Sequence, residues 1–113
     1  MAKGEFRFRK KERIVLSRDF KKVMRLGRRR ASKNFVLFIL ESEHPFHRLG
    51  IVAKKEIGPA TFRNRIKRYI REFFRLHKHQ ISGCLDIILL IKANCSVHRY
   101  KETEEELKRL FSL

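Results

Sequence analysis

Carboxylates are scarce in this chain. Twelve Asp and Glu face twenty-nine Lys and Arg across 113 residues, for a formal net charge of +17. A compact domain with that balance repels itself and attracts polyanions. Nucleic acid is the first candidate partner and an anionic membrane surface the second. Long apolar runs are missing too. Residues 35–40 fall well short of the ~20 residues that cross a bilayer, and no lipid-anchor motif is present. The start, MAKGEFRFRKKERIVL, is basic but has no continuous apolar stretch of the kind a signal peptide needs. These absences favour nucleic acid over membrane, and a cytoplasmic location. Cysteine is limited to Cys84 and Cys95. In a reducing compartment both are expected as free thiols, and nothing in the pattern supports a bridge between them.

Catalytic signatures are absent as well. There is no phosphate-binding loop, no dinucleotide glycine signature and no nucleophile motif. His44 and His47, or His77 and His79, lack the partner pair that a zinc site requires. Four of the few carboxylates, Glu102, Glu104, Glu105 and Glu106, bunch near the start of the last expected helix, where the helix dipole favours them. Asp86 precedes a strand and reads as a cap or an ion-pair partner. No side chain is assigned a catalytic role, and no metal site is expected on the protein.

What is present is one modest core's worth of apolar residues, 42% of a length that implies a single domain over 1–113. Residues 1–7 are expected to be flexible, and the basic stretch to Leu16 to run extended over the surface. Ser17 is placed as the cap of a short helix beginning at Arg18, with Phe20, Val23 and Met24 on one face. Gly27 is a candidate left-handed stop, and Arg28, Arg29 and Arg30 lead into an edge strand. Residues 33–40, KNFVLFIL, are apolar at both parities, so both faces of that strand should be covered. Phe35 and Phe38 then point to opposite faces, one toward the core and the other toward an open face. Residues 48–55 form a second strand, and the short link predicts an antiparallel pair with the first. Gly58 and Pro59 open a helix over 59–78, with Pro59 at its first position. A buried strand over 86–93 and a last helix over 99–111, with Leu107, Leu110 and Phe111 on its apolar face, complete an α+β or α/β sandwich, in which the helix over 59–78 is a candidate crossover between the strands on either side of it.

The central helix raises the sharpest question. FRNRIKRYIREFFR, residues 62–75, carries six cations and a single acid, Glu72. Phe62, Ile66, Tyr69, Ile70, Phe73 and Phe74 share one broad face, and the cations fill most of the other. A solvated helix face normally mixes signs to gain i,i+4 pairs. Arginine predominates here, which suits bidentate phosphate binding. Asn64 is a weak helix former, and a polar contact explains its place near the helix N-terminus, where backbone N–H groups add donors. Elsewhere, Phe20, Met24, Phe35 and Phe38 lie beside Arg18, Lys21, Lys22 and Arg25, the mixture that binds single-stranded RNA.

The stretch RLGIVAKKEIGPATFRNRIKRYIREFFR resembles the signature region of the bacterial ribonuclease P protein component family. Gly58, Ala60, Arg63-Asn64-Arg65, Lys67, Arg68 and Arg71 match that family's spacing. SRDFKKVM, NFVLFIL, DIILLIKA and the final Leu-Lys-Arg-Leu-Phe extend the likeness from about Phe8 to Phe111. Met24 departs from a frequent Phe, which softens stacking there. Lys54-Lys55-Glu56 stands where Ser-Lys-Lys is common, and Pro59 replaces a polar or basic residue.

The resemblance implies an αβββαβα sandwich with a mixed central sheet and a left-handed βαβ crossover, like the second domain of a small-subunit ribosomal protein. It implies a subunit of an endoribonuclease ribonucleoprotein whose RNA subunit, using bound Mg²⁺, removes the 5′ leader of precursor tRNA. Arg63, Asn64, Arg65, Lys67, Arg68 and Arg71 would bind the catalytic RNA. Phe20, Met24, Phe38, Lys54 and Lys55 would bind the precursor leader. The expected partners are that RNA and precursor tRNA, with no membrane and no obligate protein partner. Two rivals read the same residues otherwise. A ribosomal or general RNA-chaperone protein would leave precursor processing independent of this chain. A protein-only nuclease would cleave without RNA and lose activity on removal of Asp86 or a clustered Glu.

Overall fold

The structure, a computed structural model, describes residues 8–113; the expectation for residues 1–7 lies outside them. The element order is α1 (Ser17–Leu26), β1 (Arg28–Ala31), β2 (Phe35–Glu41), β3 (Arg48–Val52), α2 (Ala60–His77), β4 (Leu85–Ile91) and α3 (Tyr100–Leu110). This is the αβββαβα order, with short 3-10 turns at Lys10–Glu12, Lys55–Ile57 and Lys78–Gln80.

The strands form one mixed sheet in the order β1-β2-β4-β3. The expected antiparallel pairing of β2 with β3 does not form. β4 lies between them, antiparallel to β2 and parallel to β3. Six of the seven β4 residues are apolar, and Ile87, Ile88, Leu89 and Ile91 are buried, so β4 belongs at the centre of the sheet. The link between β2 and β3 has only to span two strand spacings, ~10 Å, which its six residues do easily. His47 fixes that link: its Nδ1 accepts from the Leu85 N–H at 2.9 Å, and its Nε2 donates to the Ile81 carbonyl at 3.0 Å.

Both faces of β2 are covered, as its sequence requires. Phe35 and Leu37 join Ile66, Ile70, Phe73, Phe74, Leu107 and Leu110 in the main core beneath α2 and α3. Val36 and Phe38 join Ile14, Val23 and Ile88 in a smaller core beneath α1. Phe38 therefore faces away from Phe35, but it is only 9% exposed, so this face is not open at that point.

The main core explains how a one-signed helix holds. Ile66, Ile70, Phe73 and Phe74 of α2 are essentially fully buried, worth about 6–12 kcal/mol together. The like-charged neighbours Arg63–Lys67, Lys67–Arg71, Arg71–Arg75, Arg65–Arg68 and Arg68–Arg71 oppose this by only about 0.2–0.5 kcal/mol each. Burial wins, and the cations stay on the surface.

Several helix ends differ from expectation. The α1 N-cap is Leu16 and Ser17 makes no capping bond, because the Leu16 carbonyl alone takes the Asp19 and Phe20 N–H groups. Gly27 is extended (φ −75°), not left-handed. It is needed for closeness, since a Cβ there would lie 2.5 Å from the Val23 oxygen and 2.8 Å from that of Ile39. Pro59 is the N-cap of α2 rather than its first residue, and Gly58 before it has φ +151°, a conformation open to glycine. The described part of the N-terminal stretch lies over the surface with most side chains exposed, but it is anchored at three points. Ile14 is buried and donates its N–H to the Leu49 carbonyl, Phe8 packs edge-on against Phe74, and buried Glu12 pairs with Lys78 at 2.6 Å.

The α3 glutamates hold distinct posts rather than sharing one dipole effect. Glu102 accepts from the His98 and Arg99 N–H groups as a cap. Glu106 is buried and accepts from the Asn34 N–H at 2.8 Å, from Asn34 Nδ2 at 2.7 Å and from the Ser32 hydroxyl. Glu104 accepts from His77 Nε2 at 3.0 Å and from the Tyr100 hydroxyl at 3.3 Å, which ties α3 to α2. Burial, with the Glu104 charge, pushes Tyr100 up to about 12. The His77 bond holds the Glu104 carboxyl below its ordinary value of 4.5. A carboxylate depressed in the folded state stabilises above its unfolded pKa, and that share is lost as pH falls through the folded value. Stability should therefore hold from neutral pH down to the ordinary glutamate range and decline below it. Thermal unfolding of Glu104→Gln should show a Tm about 3 °C lower at pH 7 and a shallower acid decline. An unchanged acid limb would remove Glu104 from this role. Cys84 and Cys95 are free thiols, both half-buried, and burial raises Cys95.

Candidate nucleic-acid interface

Two cationic surfaces lie on opposite sides of the sheet. The first is the outer face of α2. Helical geometry turns Asn64, Arg68 and Arg71 fully outward, and all three are exposed. Arg63 and Lys67 lie on one flank and Arg65 on the other, each partly buried. The first intrahelical bond runs from the Arg63 N–H to the Pro59 carbonyl at 3.0 Å, so the free N–H groups of the first turn sit beside Arg63. Arg63 Nε also donates to the Gly58 carbonyl at 3.2 Å, which aims this side chain along the helix start. The Arg65 guanidinium lies over the Phe62 ring at 5.4 Å, with its Nε buried and without a hydrogen-bond partner. Arg68 lies over Tyr69 at 5.8 Å.

No carboxylate among the described residues pairs with Arg63, Arg65, Lys67, Arg68 or Arg71. Glu72, the one acid of α2, is taken by Arg75 through two bonds of 3.0 and 2.9 Å. Burial, and then the like charge of Arg13, hold Arg71 below the ordinary arginine value. A phosphate placed here would relieve that repulsion.

The second surface is the sheet face beneath α1. Ladder register arranges it in rungs, one residue per strand. One rung reads Arg29, Phe38, Ile88, Gly50 from β1 to β3, and the next reads Ala31, Val36, Leu90, Val52. α1 lies across this face with Val23 buried and Phe20 and Met24 half-buried. A Cβ on Gly50 would meet the Phe20 ring at 2.7 Å, so that ring rests directly on the β3 backbone. Leu90 and Val52 remain half-exposed beside α1, and exposed Lys54 and Lys55 follow just beyond β3. Arg18, Lys21, Lys22 and Arg25 are exposed along α1. Among the described residues, only Lys22 of these four pairs with a carboxylate, Glu43 at 3.8 Å, and an exposed pair at that distance contributes little.

Of the residues expected to line this cleft, Phe20, Met24 and Phe38 share one side of the sheet, and Lys54 and Lys55 follow β3 beyond the ladder. Phe38 serves as floor rather than as an open stacking surface. Arg63, Asn64, Arg65, Lys67, Arg68 and Arg71 all lie on α2, on the other side. The α2 set and the α1-side residues lie on separate surfaces.

Sequence reasoning missed three contributors. Gly50 is one, although glycine within a strand is itself a signal of close approach. Arg48 is the second. It holds Asp86 through two bonds of 2.9 and 2.8 Å and lies 3.6 Å from Asp19, so it clamps α1 to the sheet. The Asp86 bond and charge raise Arg48 further above its ordinary value. Asp86 is thus an ion-pair partner, not a cap. Arg29 is the third, and its side of the sheet is set by the β1–β2 register alone.

Carboxylates near the cleft do not form a cation cage. Asp19 and Asp86 both face Arg48, and no group of three or more His, Cys, Asp or Glu gathers at a metal-binding distance among the described residues. No helix among them is long and apolar enough to cross a membrane.

Comparison with known proteins identifies the family and the fold. A family model described as Ribonuclease P matches residues 8–113. The Ribonuclease P protein component of Syntrophus aciditrophicus is 40% identical over 99 residues, covering 88% of this chain and 83% of that protein. The protein of the same name from Desulforapulum autotrophicum is 38% identical over 108 residues, covering 96% and 92%. The solved structure of the Staphylococcus aureus RNase P protein superposes with a TM-score of 0.83 at 31% identity, covering 89% of this chain and 93% of that one. The chain therefore belongs to the bacterial ribonuclease P protein family, the protein component of the RNA-based endoribonuclease ribonucleoprotein that processes tRNA 5′ ends.

Proposed function

We propose that this chain joins two RNAs across its sheet. The outer face of α2, through Arg63, Asn64, Arg65, Lys67, Arg68 and Arg71, binds the catalytic RNA subunit. The cleft between α1 and the sheet, through Phe20, Met24, Phe38, Lys54 and Lys55, binds the 5′ leader of precursor tRNA. The observation that carries this reading is the pair of cationic surfaces with few acidic neighbours, set on opposite sides of one sheet, of which one has an apolar floor and a half-buried aromatic wall.

The protein's part is binding. Cations on both surfaces screen phosphate repulsion between the two RNAs and release their counterions. The cleft contacts a leader that mature tRNA lacks, so substrate is held in preference to product by a difference of affinities. Cleavage then gives a mature 5′ end with no side chain in the chemistry. The described carboxylates do not fit a Mg²⁺ cage, and we place the Mg²⁺ of the reaction on the RNA subunit. The chain acts in the cytoplasm, where precursor tRNA is made.

Reconstitution with a bacterial catalytic RNA at low Mg²⁺ tests the whole reading. Precursor processing should rise sharply when the protein is added and vanish when the RNA is omitted. Cleavage by the protein alone would replace this reading with a protein-only nuclease, and processing indifferent to the protein would favour a general RNA chaperone. Within the assembly, Phe20→Ala should weaken precursor binding about 10-fold, from loss of one stacked base, and leave mature tRNA unchanged. Equal weakening of both would rule out the cleft as the leader site.

A further inference from the structure

The β1 edge carries three consecutive arginines, Arg28, Arg29 and Arg30, of which only Arg29 belongs to a surface described above. Their side chains alternate across the sheet. Arg29 ends the rung that runs through Phe38 and Ile88, so it stands at the outer end of the cleft floor. Arg28 and Arg30 pair with Ile39 and Leu37 and point to the other side. There they line a groove of about 640 Å³ with Ile39, Ser82 and half-buried Phe111, and Arg29 also reaches round the edge to this lining, so it borders both the cleft floor and the groove. Arg30 is engaged, donating to the Leu110 carbonyl at 3.2 Å and the Ser112 hydroxyl at 2.9 Å. Arg28 and Arg29 are exposed, and no carboxylate among the described residues pairs with either.

Charge on an edge strand has an ordinary use, since it keeps other strands from pairing there. That use needs neither arginine in particular nor cations on both sides of the edge. A cation at the end of the cleft floor, followed by one in the next groove round the edge, forms a track for a polyanion. The track turns sharply over one strand, which a stiff duplex cannot follow and a flexible single strand can.

We propose that the β1 edge is where the leader leaves the cleft. Arg29 takes a phosphate at the end of the floor, and Arg28 takes the following phosphate as the strand passes over the edge into the groove beside Phe111. The proposal rests on the leader occupying the cleft, as proposed above. It adds that leader nucleotides beyond the cleft also bind this chain, so affinity depends on leader length.

The test uses the reconstituted holoenzyme with two precursor tRNAs. One has a leader just long enough to cross the cleft, and the other a leader about ten nucleotides longer. Wild-type protein should bind the longer one more tightly. The double variant Arg28→Gln and Arg29→Gln should bind it about ten-fold more weakly, with the slope of log affinity against log salt reduced by about 1.4, or about 0.7 per lost single-strand phosphate contact. Binding of mature tRNA should not change, and the short-leader precursor, which reaches Arg29 but not Arg28, should lose less than the longer one. The double variant Arg28→Lys and Arg29→Lys, which keeps the charge, should retain most of the advantage. A long-leader advantage that survives the Gln variant overturns the proposal. So does an equal loss on both precursors, which would assign the edge to the RNA subunit. Phe20→Ala measured on the short-leader precursor separates the two readings. If that variant has no effect, the cleft reading has failed and the edge proposal with it. If it weakens binding while the Gln variant does nothing, only the edge proposal has failed.

Discussion

Arg48→Ala is expected to lower the stability of the protein by about 3 kcal/mol, because it leaves a buried carboxylate without its partner. For a chain of this size that is a fall in Tm of about 12 °C. Asp86 is only 8% exposed, and both of its oxygens bind Arg48. Asp19 on α1 faces the same guanidinium, so the helix loses its ion pair to the sheet as well. Replacing the pair together, Arg48→Met with Asp86→Leu, should recover most of the loss, since a buried ion pair contributes little over an apolar pair of similar volume. Thermal unfolding of the three proteins would decide it. A Tm for Arg48→Ala within about 2 °C of wild type would mean that Asp86 reaches water or another donor. The functional consequence follows from the same contact. With α1 loosened, Phe20 loses its fixed seat on Gly50, and discrimination of precursor from mature tRNA should fall even at temperatures where the variant is folded.

Arg63→Ala together with Arg68→Ala is expected to weaken binding to the catalytic RNA about 100-fold at low salt. Charge-assisted phosphate contacts contribute about 1.5–3 kcal/mol each, and the lower end of that range summed over two contacts gives this figure. The salt dependence should flatten as well, by roughly 0.9 in slope per lost duplex phosphate contact. Arg68 is the cleaner of the two, being exposed and without a protein hydrogen bond among those described, whereas Arg63 also donates to the Gly58 carbonyl. A filter-binding titration at several salt concentrations would measure both quantities. An affinity and slope equal to those of wild type would remove the α2 face from the RNA-subunit interface. Neither substitution touches the buried face of α2, so Tm should stay close to wild type.

Much of the architecture was legible from residue pattern alone. The apolar runs at residues 35–40 and 87–91 marked strands because they are apolar at both parities. The 3.6-residue spacing of Ile66, Ile70, Phe73 and Phe74 marked a helix that buries one side. These signals are local, which is why element order and bounds agree with the structure to within a few residues. Helix ends were less legible. Ser17 and Pro59 are ordinary cap and first-turn residues, yet each sits one position from its expected post, because the carbonyls of Leu16 and Pro59 already take the first-turn N–H groups. Glu12 and Ile14 sit in a basic stretch that resembles a solvated tail, and only Lys78 and Leu49, distant in sequence, make their burial favourable.

By itself, then, the sequence determined the charge, the element types, the one-signed helix and the Arg-Asn-Arg stretch that places the chain in its family. Each depends on residues near one another along the chain. Which strand stands at the centre, which face each cation shares and which carboxylates are free were decided by the tertiary structure. β4 takes an interior place because, like β2, it has six apolar residues of seven to hide, and that displaces β3 from β2. Once the register is set, Arg29 joins the cleft, Gly50 becomes the seat of Phe20, and Arg48 takes both Asp19 and Asp86. The two cationic surfaces end on opposite sides of the sheet because α1 and α2 cover opposite faces of β2, a strand whose side chains alternate between two cores.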